Sequence, residues 1–410
     1  MHLVIFEDSD WHAFAPLSLS RPVFSLASGM TNLLRKQIRH VKPTRVTLWV
    51  RPELANWCRE RIAPEVGVPA QVNVALDSQP ALLLNGRTAL SSPVEIPPAQ
   101  AVATAENGTI LAVKLTQPNL GPGDVLGKTA RWLSALQLPA MTSPGKLLHS
   151  PVDLIYWNEQ SLAEDFAHLE ASHYPTPPGP YHLVNEADIR VAPDAILSAG
   201  CVLDASKGPI AIAQGATVGF NAVVQGPCWV GPGAVVTPLA NIRPGTSIGA
   251  MCKVGGEVSA TVFLGYCNKS HEGFVGHSYI GKWVNLGAGT TTSNLKNTYG
   301  PISLKRGNRE IATGRRFLGA LIGDHTKTAI LTRFMGGSYV GYCAMISTSA
   351  AAPRFVPSYT FLTDQGAAAY DHEKAVEVAQ RVFTRRDRVW TDTDEQIMNS
   401  VRETAPAIEV

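Results

Sequence analysis

The residues best equipped for chemistry crowd into two short runs. The first is Asn268-Lys269-Ser270-His271-Glu272-Gly273-Phe274-Val275-Gly276. The second is Asn285-Leu286-Gly287-Ala288-Gly289-Thr290-Thr291-Thr292-Ser293-Asn294-Leu295-Lys296. Within them His271 carries an imidazole, and proton transfer is the chemistry that side-chain type supports; the alternative is an ordinary corner histidine. Downstream, Lys305, Arg306, Arg309, Arg315 and Arg316 form a basic cluster, either a solvated loop or an attractor of phosphates. Near the start, Asp8, Asp10, Arg21 and Arg87 are the groups from which a phosphate site would be built, although both aspartates also suit turns.

Both polar runs lie in a stretch with a period of six. Ile212, Val218, Val224, Val230, Val236, Ile242, Ile248 and Val254 follow one another at that step, several trailed by glycine, and Ile196 and Val202 hold it earlier. From Ile322 it resumes through Thr328, Phe334, Val340 and Ile346. Such a period fits neither a helix nor an alternating strand. It fits a triangular coil with one aliphatic side chain pointing inward per face and small residues at the corners, rather than a glycine-rich β-sandwich. The spacing predicts a left-handed parallel β-helix over residues 189–346, in which each coil covers only its neighbours. It is interrupted at residues 264–274 and 298–316, and interruptions are where a cleft can be grafted onto flat faces.

Ahead of the repeats, residues 3–6, 46–50 and 81–84 read as strands, and 29–40 (N-capped by Thr31) and 54–62 as helices, which predicts a mostly parallel sheet. A helical connector over 145–170, including 159–169, leads to a proline-rich boundary at 174–180. Beyond residue 350 the repeats stop at Pro353 and Pro357. Residues 373–389 then read as an amphipathic helix with Val376, Ala379, Val382 and Phe383 on one face. Thr393-Asp394-Glu395-Gln396 reads as the capping box of a last short helix, and the two helices are expected to cap the open end of the coil. The fold class is therefore α/β plus an all-β solenoid: an α/β domain with its connector over 1–175, a β-helix over 176–352 and a helical extension over 353–410.

Composition narrows the function. A chain of 410 residues with 45% hydrophobic and 17% charged residues is globular and too long for one ordinary core. A net charge of +2 supplies no field for nucleic acid or an anionic membrane, so neither is an expected partner. Six scattered cysteines without a C-x-x-C pair give no zinc or redox motif, and no metal ligands are assigned in the repeats. The opening Met1-His2-Leu3-Val4-Ile5-Phe6 runs straight into Glu7 and Asp8, unlike a secretory leader, and no apolar run is long enough to span a bilayer. A reducing cytoplasm is the expected compartment.

From Arg243 to Asp324 the two polar runs resemble the acetyltransferase domain of the bifunctional N-acetylglucosamine-1-phosphate uridylyltransferase and glucosamine-1-phosphate N-acetyltransferase (GlmU-like) family, within the hexapeptide-repeat acyltransferases. The nearest likeness is to its divergent bacterial branch, whose N-terminal signature Leu17-Ser18-Leu19-Ser20-Arg21-Pro22-Val23 also resembles. The resemblance implies that His271 is the general base toward the attacking amine, with Glu257 as its carboxylate partner and Asn294 beside them. It implies that Arg243 and Asn285, with Lys269 and Lys296, hold a phosphorylated acceptor. It implies that Gly287, Ala288 and Gly289, with Lys327, bind acetyl-CoA, a backbone N–H there stabilising the oxyanion. Transfer would be direct, in a homotrimer with sites between subunits.

The departures shape the expected function. Ser259 stands where the better-known branch has a phosphate-binding lysine, and Phe274 where it has a tyrosine. Only Lys296 or Lys305 can replace a second lysine, and the CoA positions near Ile330 and Thr348 do not match. At the N-terminus the resemblance implies a nucleotidyltransferase-like, Rossmann-like domain. There, however, Phe6 to Pro16 lacks the glycines that cradle a triphosphate, and Asn85 replaces the magnesium-binding aspartate. The expected function is acetyl-CoA-dependent N-acetylation of an amino sugar phosphate or nucleotide amino sugar. The alternatives are a bifunctional enzyme, needing Mg²⁺ only if the N-terminal domain is active, and a non-catalytic sugar-phosphate-binding scaffold.

Overall fold

A computed structural model describes residues 1–126, 137–169 and 178–410. The expected boundary at 174–180 falls largely outside them. The N-terminal domain is built from β1 (His2–Phe6), α1 (Leu33–Val41), β2 (Arg45–Trp49), α2 (Ala55–Arg61), β3 (Ala70–Val72), β4 (Ala81–Asn85), β5 (Ala101–Thr104), β6 (Ile110–Leu115) and α3 (Pro151–Phe166). The sheet order is β3-β2-β1-β4-β6-β5. The first four strands run parallel and the last two add an antiparallel edge. All five residues of β1 are buried, as expected of a parallel strand covered on both faces. α1 starts at Leu33 rather than at 29, and its N-cap is Asn32 rather than Thr31, with Oδ1 accepting from Arg35 N at 2.9 Å.

The period of six is realised as a three-faced coil of parallel strands. A first face runs from His182–Val184 to Phe274–Gly276, and a second, nine strands long, from Ile189–Val191 to Phe355–Val356. A third starts at Ile196–Leu197. The eight aliphatic residues from Ile212 to Val254 are fully buried. Ile196 and Val202 are corrected: they face outward, and Leu197 and Leu203 pair with the inward Val218 and Val224. Around residues 206–209 that coil runs to 21 residues (Leu197 to Val218) against 18 (Val218 to Val236) for the next, so the six-residue step does not carry back across it.

Two further expectations change. Residues 264–274 are not an interruption but continue the coil, with Lys269 at the inward position in register with Val254. The true insertion is a β-hairpin, Ile302–Arg306 paired with Arg309–Arg315, projecting between the first and second faces. The coil also continues past residue 352, through Phe355–Val356 and Thr360–Thr363.

The N-terminal domain lies against the second face. Along those strands one residue points into the coil and the next points out. The outward Val262, Tyr279, Leu321 and Tyr339 join the core of the N-terminal domain. Tyr279 donates to Ala27 O at 2.7 Å, and Ser247 to Gly29 O at 2.7 Å. Asn158 of α3 bridges the two parts, donating to Gly245 O at 2.8 Å and accepting from Gly29 N at 2.6 Å. Buried Arg21, from the N-terminal signature, pairs with Asp324 of the coil, which also accepts from Ser20 at 2.8 Å.

The C-terminal helices α4 (His372–Arg385) and α5 (Asp392–Ile408) do not cap the open end. They run back along the flank, where Phe383 stacks on Trp283 at 4.3 Å and α5 contacts α2. α5 is long, and its capping box is formed by Thr391 and Asp394 rather than from Thr393.

Asp165 near the end of α3 ties this domain together: it pairs with Lys36 (1% exposed) and with Arg39, and accepts from Met30 N. Removing it would leave a buried ammonium without a partner, at a cost of about 3–5 kcal/mol. Asp165→Ala should therefore lower the chemical denaturation midpoint of the N-terminal domain sharply; an unchanged midpoint would contradict this role.

Candidate active site

With the second face covered, the first remains open. Asn241, Glu257 and Phe274 form an outward column in register. It continues through Thr291, whose hydroxyl donates to Phe274 O at 3.1 Å, to Arg333. Arg243 donates to Glu257 Oε1 at 2.9 Å, with both side chains roughly half exposed. In that setting the pair adds little stability, so Arg243 can exchange its partner readily.

Two edges flank this face. Where it meets the second face, Asn294 Nδ2 lies 2.9 Å from His277 Nδ1. The His277 ring stacks on Phe317 at 5.1 Å between ring centres, and Tyr156 of α3 lies 6.2 Å away. Burial first, and Arg243 second, hold His277 down at about 4.

Where the third face meets the first, His271 sits exposed on a corner. Its imidazole has no hydrogen-bond partner among the described residues. The next coil brings Gly287, Ala288 and Gly289 to the same corner, joined by Gly289 N donating to Glu272 O at 3.1 Å. Gly289 has φ +71°, a backbone conformation that strains any residue with a side chain, and a Cβ there would also push Leu331 Cδ2 aside. Gly287 N donates to Thr328 Oγ1 at 3.0 Å, whereas Ala288 N has no partner among the described residues.

The expected residues divide accordingly. Arg243 and Glu257 meet, and His271 meets the Gly287–Gly289 corner. Glu257 is engaged by Arg243 rather than by His271, and Asn294 by His277. Asn285 lies on the third face, bridging Asn268 and Lys327. Lys269 is corrected as an acceptor ligand: it points into the coil, is 1% exposed, and donates to Gly255 O at 2.9 Å and His271 O at 2.7 Å. Lys327 donates to His325 O at 2.9 Å, and Lys296 is exposed. The basic cluster is not a uniform solvated loop: Arg306 is buried and donates to His12 O at 3.0 Å, and Arg315 lies 4.1 Å over Tyr156. His277 and Tyr156, neither of them among the expected site residues, also belong to this edge.

The N-terminal crevice has a different content. Open α/β sheets bind ligands where the strand order reverses, here between the carboxyl ends of β1 and β4. Asn85 ends β4 there and donates to Asp8 Oδ2 at 2.8 Å and Ile110 O at 3.0 Å. The Arg87 guanidinium engages Asp8 and, at 3.0 Å, Asp10, and donates to Leu148 O at 3.1 Å. Ser9–Phe14 forms a short 3₁₀ helix where a glycine loop would lie. A magnesium ion would have to displace the guanidinium from both carboxylates, so these residues do not fit one. Among the described residues no group of three or more His, Cys, Asp or Glu side chains is placed to hold a metal, and no helix is long and apolar enough to cross a membrane.

Comparison with known proteins bears on both parts. Residues 3–173 match the sugar nucleotidyl transferase family. The bifunctional protein GlmU of Methanocaldococcus jannaschii is 37% identical over 127 residues, covering 30% of this chain and 31% of that protein. GlmU of Marinobacter nauticus is 29% identical over 195 residues, covering 45% and 39%. The resemblance to the GlmU-type transferases holds. A bifunctional sugar-1-phosphate nucleotidylyltransferase/acetyltransferase of Sulfurisphaera tokodaii is 32% identical over 152 residues, covering 37% and 38%. The chain thus spans between 31% and 39% of the length of these relatives.

The first-face edge has a pH signature. Unfolded, His277 would titrate near 6.5; folded, near 4. The unfolded chain therefore takes up this proton more readily, and His277 destabilises the fold as pH falls from about 6.5 toward about 4. His277→Gln should flatten the acid side of the stability profile between pH 7 and 4.5, read from denaturation midpoints; an unchanged slope would contradict the burial argument.

Proposed function

We propose that the first face and its third-face edge carry acyl transfer from acetyl-CoA to the amine of an amino sugar phosphate or nucleotide amino sugar, with His271 as general base. The observation that carries this reading is the corner itself. An exposed, unengaged imidazole stands one coil from a glycine-alanine-glycine turn whose central N–H is free among the described residues. The acceptor amine attacks the thioester carbonyl and a C–N bond forms. His271 takes the amine proton and the Ala288 N–H faces the developing oxyanion. The C–S bond then breaks, and the imidazolium returns its proton to the departing CoA thiolate. Arg243, released from Glu257, is the cation available to an acceptor phosphate.

The same edge supports a homotrimer. Phe220 and Leu239 lie on two successive corners of it at 58% and 76% exposure, and Ile330 and Leu331 on a later corner at 67% and 69%. Large apolar side chains left uncovered along one edge call for a partner surface. In a threefold assembly, His271 would face a neighbouring prism. All six cysteines are buried and free, which agrees with a reducing cytoplasm.

A second reading, nucleotidyl transfer, is favoured by the family match over residues 3–173. The Asp8–Arg87–Asp10 network opposes it. Pyrophosphate release from a nucleoside triphosphate and a sugar 1-phosphate, with Mg²⁺ present, is expected to be absent; clear turnover would restore it.

For acyl transfer the test is thiol release from acetyl-CoA with a panel of amino sugars, their 1-phosphates and their nucleotide derivatives. His271→Ala should reduce turnover by about 10²–10⁴-fold while leaving the size-exclusion profile unchanged. Turnover indifferent to the substitution would remove His271 from the reaction.

A further inference from the structure

The junction of the three parts of the chain encloses a cavity that neither the acyl-transfer corner nor the N-terminal crevice uses. Its volume is about 180 Å³. A water needs about 10–15 Å³ by this measure, so there is room for roughly a dozen, about 360 Å³ of liquid water and enough for a base, a ribose and a phosphate. The N-terminal domain contributes Arg21, Trp57 and Arg61, the coil Tyr266, Lys282 and Trp283, and the C-terminal segment Phe383, Arg388 and Trp390.

Charge in this cavity is unbalanced in a specific way. The lining holds four permanent or ammonium cations (Arg21, Arg61, Lys282, Arg388) and three carboxylates (Glu65, Asp324, Asp394). Each carboxylate has a cation of its own: Asp324 has Arg21, Asp394 has Arg61 at 2.6 Å, and Glu65 has Arg35 at 3.6 Å. Lys282 and Arg388 remain, and among the described residues neither has a carboxylate within 4.0 Å. The Lys282 ammonium also has no hydrogen-bond partner among the described residues. Burial first and Arg21 second hold Lys282 down at about 8, and an anion beside it would relieve that penalty by pairing with the ammonium. Two further wall nitrogens, Arg21 Nε and His325 Nδ1, are buried without a hydrogen-bond partner among the described residues.

The rest of the wall is aromatic. Tyr266, Trp283 and Phe383 form a continuous stack at 4.2 and 4.3 Å, with Trp390 set edge-on to Phe383 at 5.0 Å. Trp57 approaches from the N-terminal domain, 5.9 Å beneath the Arg21 guanidinium. Two unpaired cations beside flat π surfaces suit an anion attached to a planar ring.

We propose that this junction cavity binds a nucleoside monophosphate, its phosphate on Lys282 and Arg388 and its base against the aromatic wall. Because domain, coil and C-terminal helices each supply part of the wall, an occupant would hold the three together. The site is independent of the acyl-transfer reading.

The test is isothermal titration of the full chain with uridine and adenosine 5′-monophosphates and with inorganic phosphate, for wild type, Lys282→Met and Arg388→Gln. Arg388 is exposed, so its replacement leaves folding intact. The expected result is saturable binding of at least one nucleotide, at least about tenfold tighter than inorganic phosphate. Lys282→Met and Arg388→Gln should each weaken it by about tenfold or more, the effect of losing a charge-assisted hydrogen bond. No nucleotide binding, equal affinity for inorganic phosphate, or nucleotide binding kept at full strength in both variants would overturn the proposal.

Discussion

The arrangement of the whole molecule depends on the burial of one face of a three-sided coil. A period of six leaves every strand with an inward side chain and outward neighbours, and on most of the coil those neighbours meet water. On the second face they are Val262, Tyr279, Leu321 and Tyr339, and they are buried against the N-terminal domain. Tyr279 and Tyr339 can be buried because each hydroxyl finds an acceptor, Ala27 O and Glu409 Oε1. Once that face is closed and the C-terminal helices lie along its flank, the first face and its third-face edge are the surface left for the polar runs to act on.

Buried charges reinforce this division. Asp324 joins the N-terminal signature to the coil through Ser20 and Arg21, and its other oxygen accepts from Lys282 N at 2.7 Å. Asp165 gathers Lys36, Arg39 and a backbone N–H. In the N-terminal crevice, Arg87 occupies the carboxylates that a metal would need, so a sheet of nucleotide-binding topology carries an internal ion-pair network at its switch point. The same residue types that suggest phosphate chemistry in the sequence are here engaged in holding parts of the chain together.

Much of the architecture was legible because it is periodic. The register from Ile212 to Val254, the alternating N-terminal strands and the Val376–Phe383 face of α4 all follow from spacing. The failures have local causes. Lys269 fills an aliphatic slot, so a regular coil reads as an interruption; its ammonium is tolerated inside because two corner carbonyls accept from it. The longer coil around 206–209 breaks the six-residue step, so the phase of Ile196 and Val202 does not follow from that of Ile212. The candidate corner was visible as a motif, yet the engagement of Glu257 by Arg243 and of Asn294 by His277 was not, since each depends on coils stacking. The junction cavity was invisible, because its walls come from segments about 300 residues apart that only docking brings together.

The most direct measurement is a crystal structure of the protein soaked or co-crystallised with coenzyme A. The account predicts the pantetheine arm along the Gly287–Gly289 corner, with its thiol beside the His271 imidazole and within reach of the Ala288 N–H. Coenzyme A bound away from that corner, or a His271 ring turned from the thiol in a fully occupied complex, would contradict it.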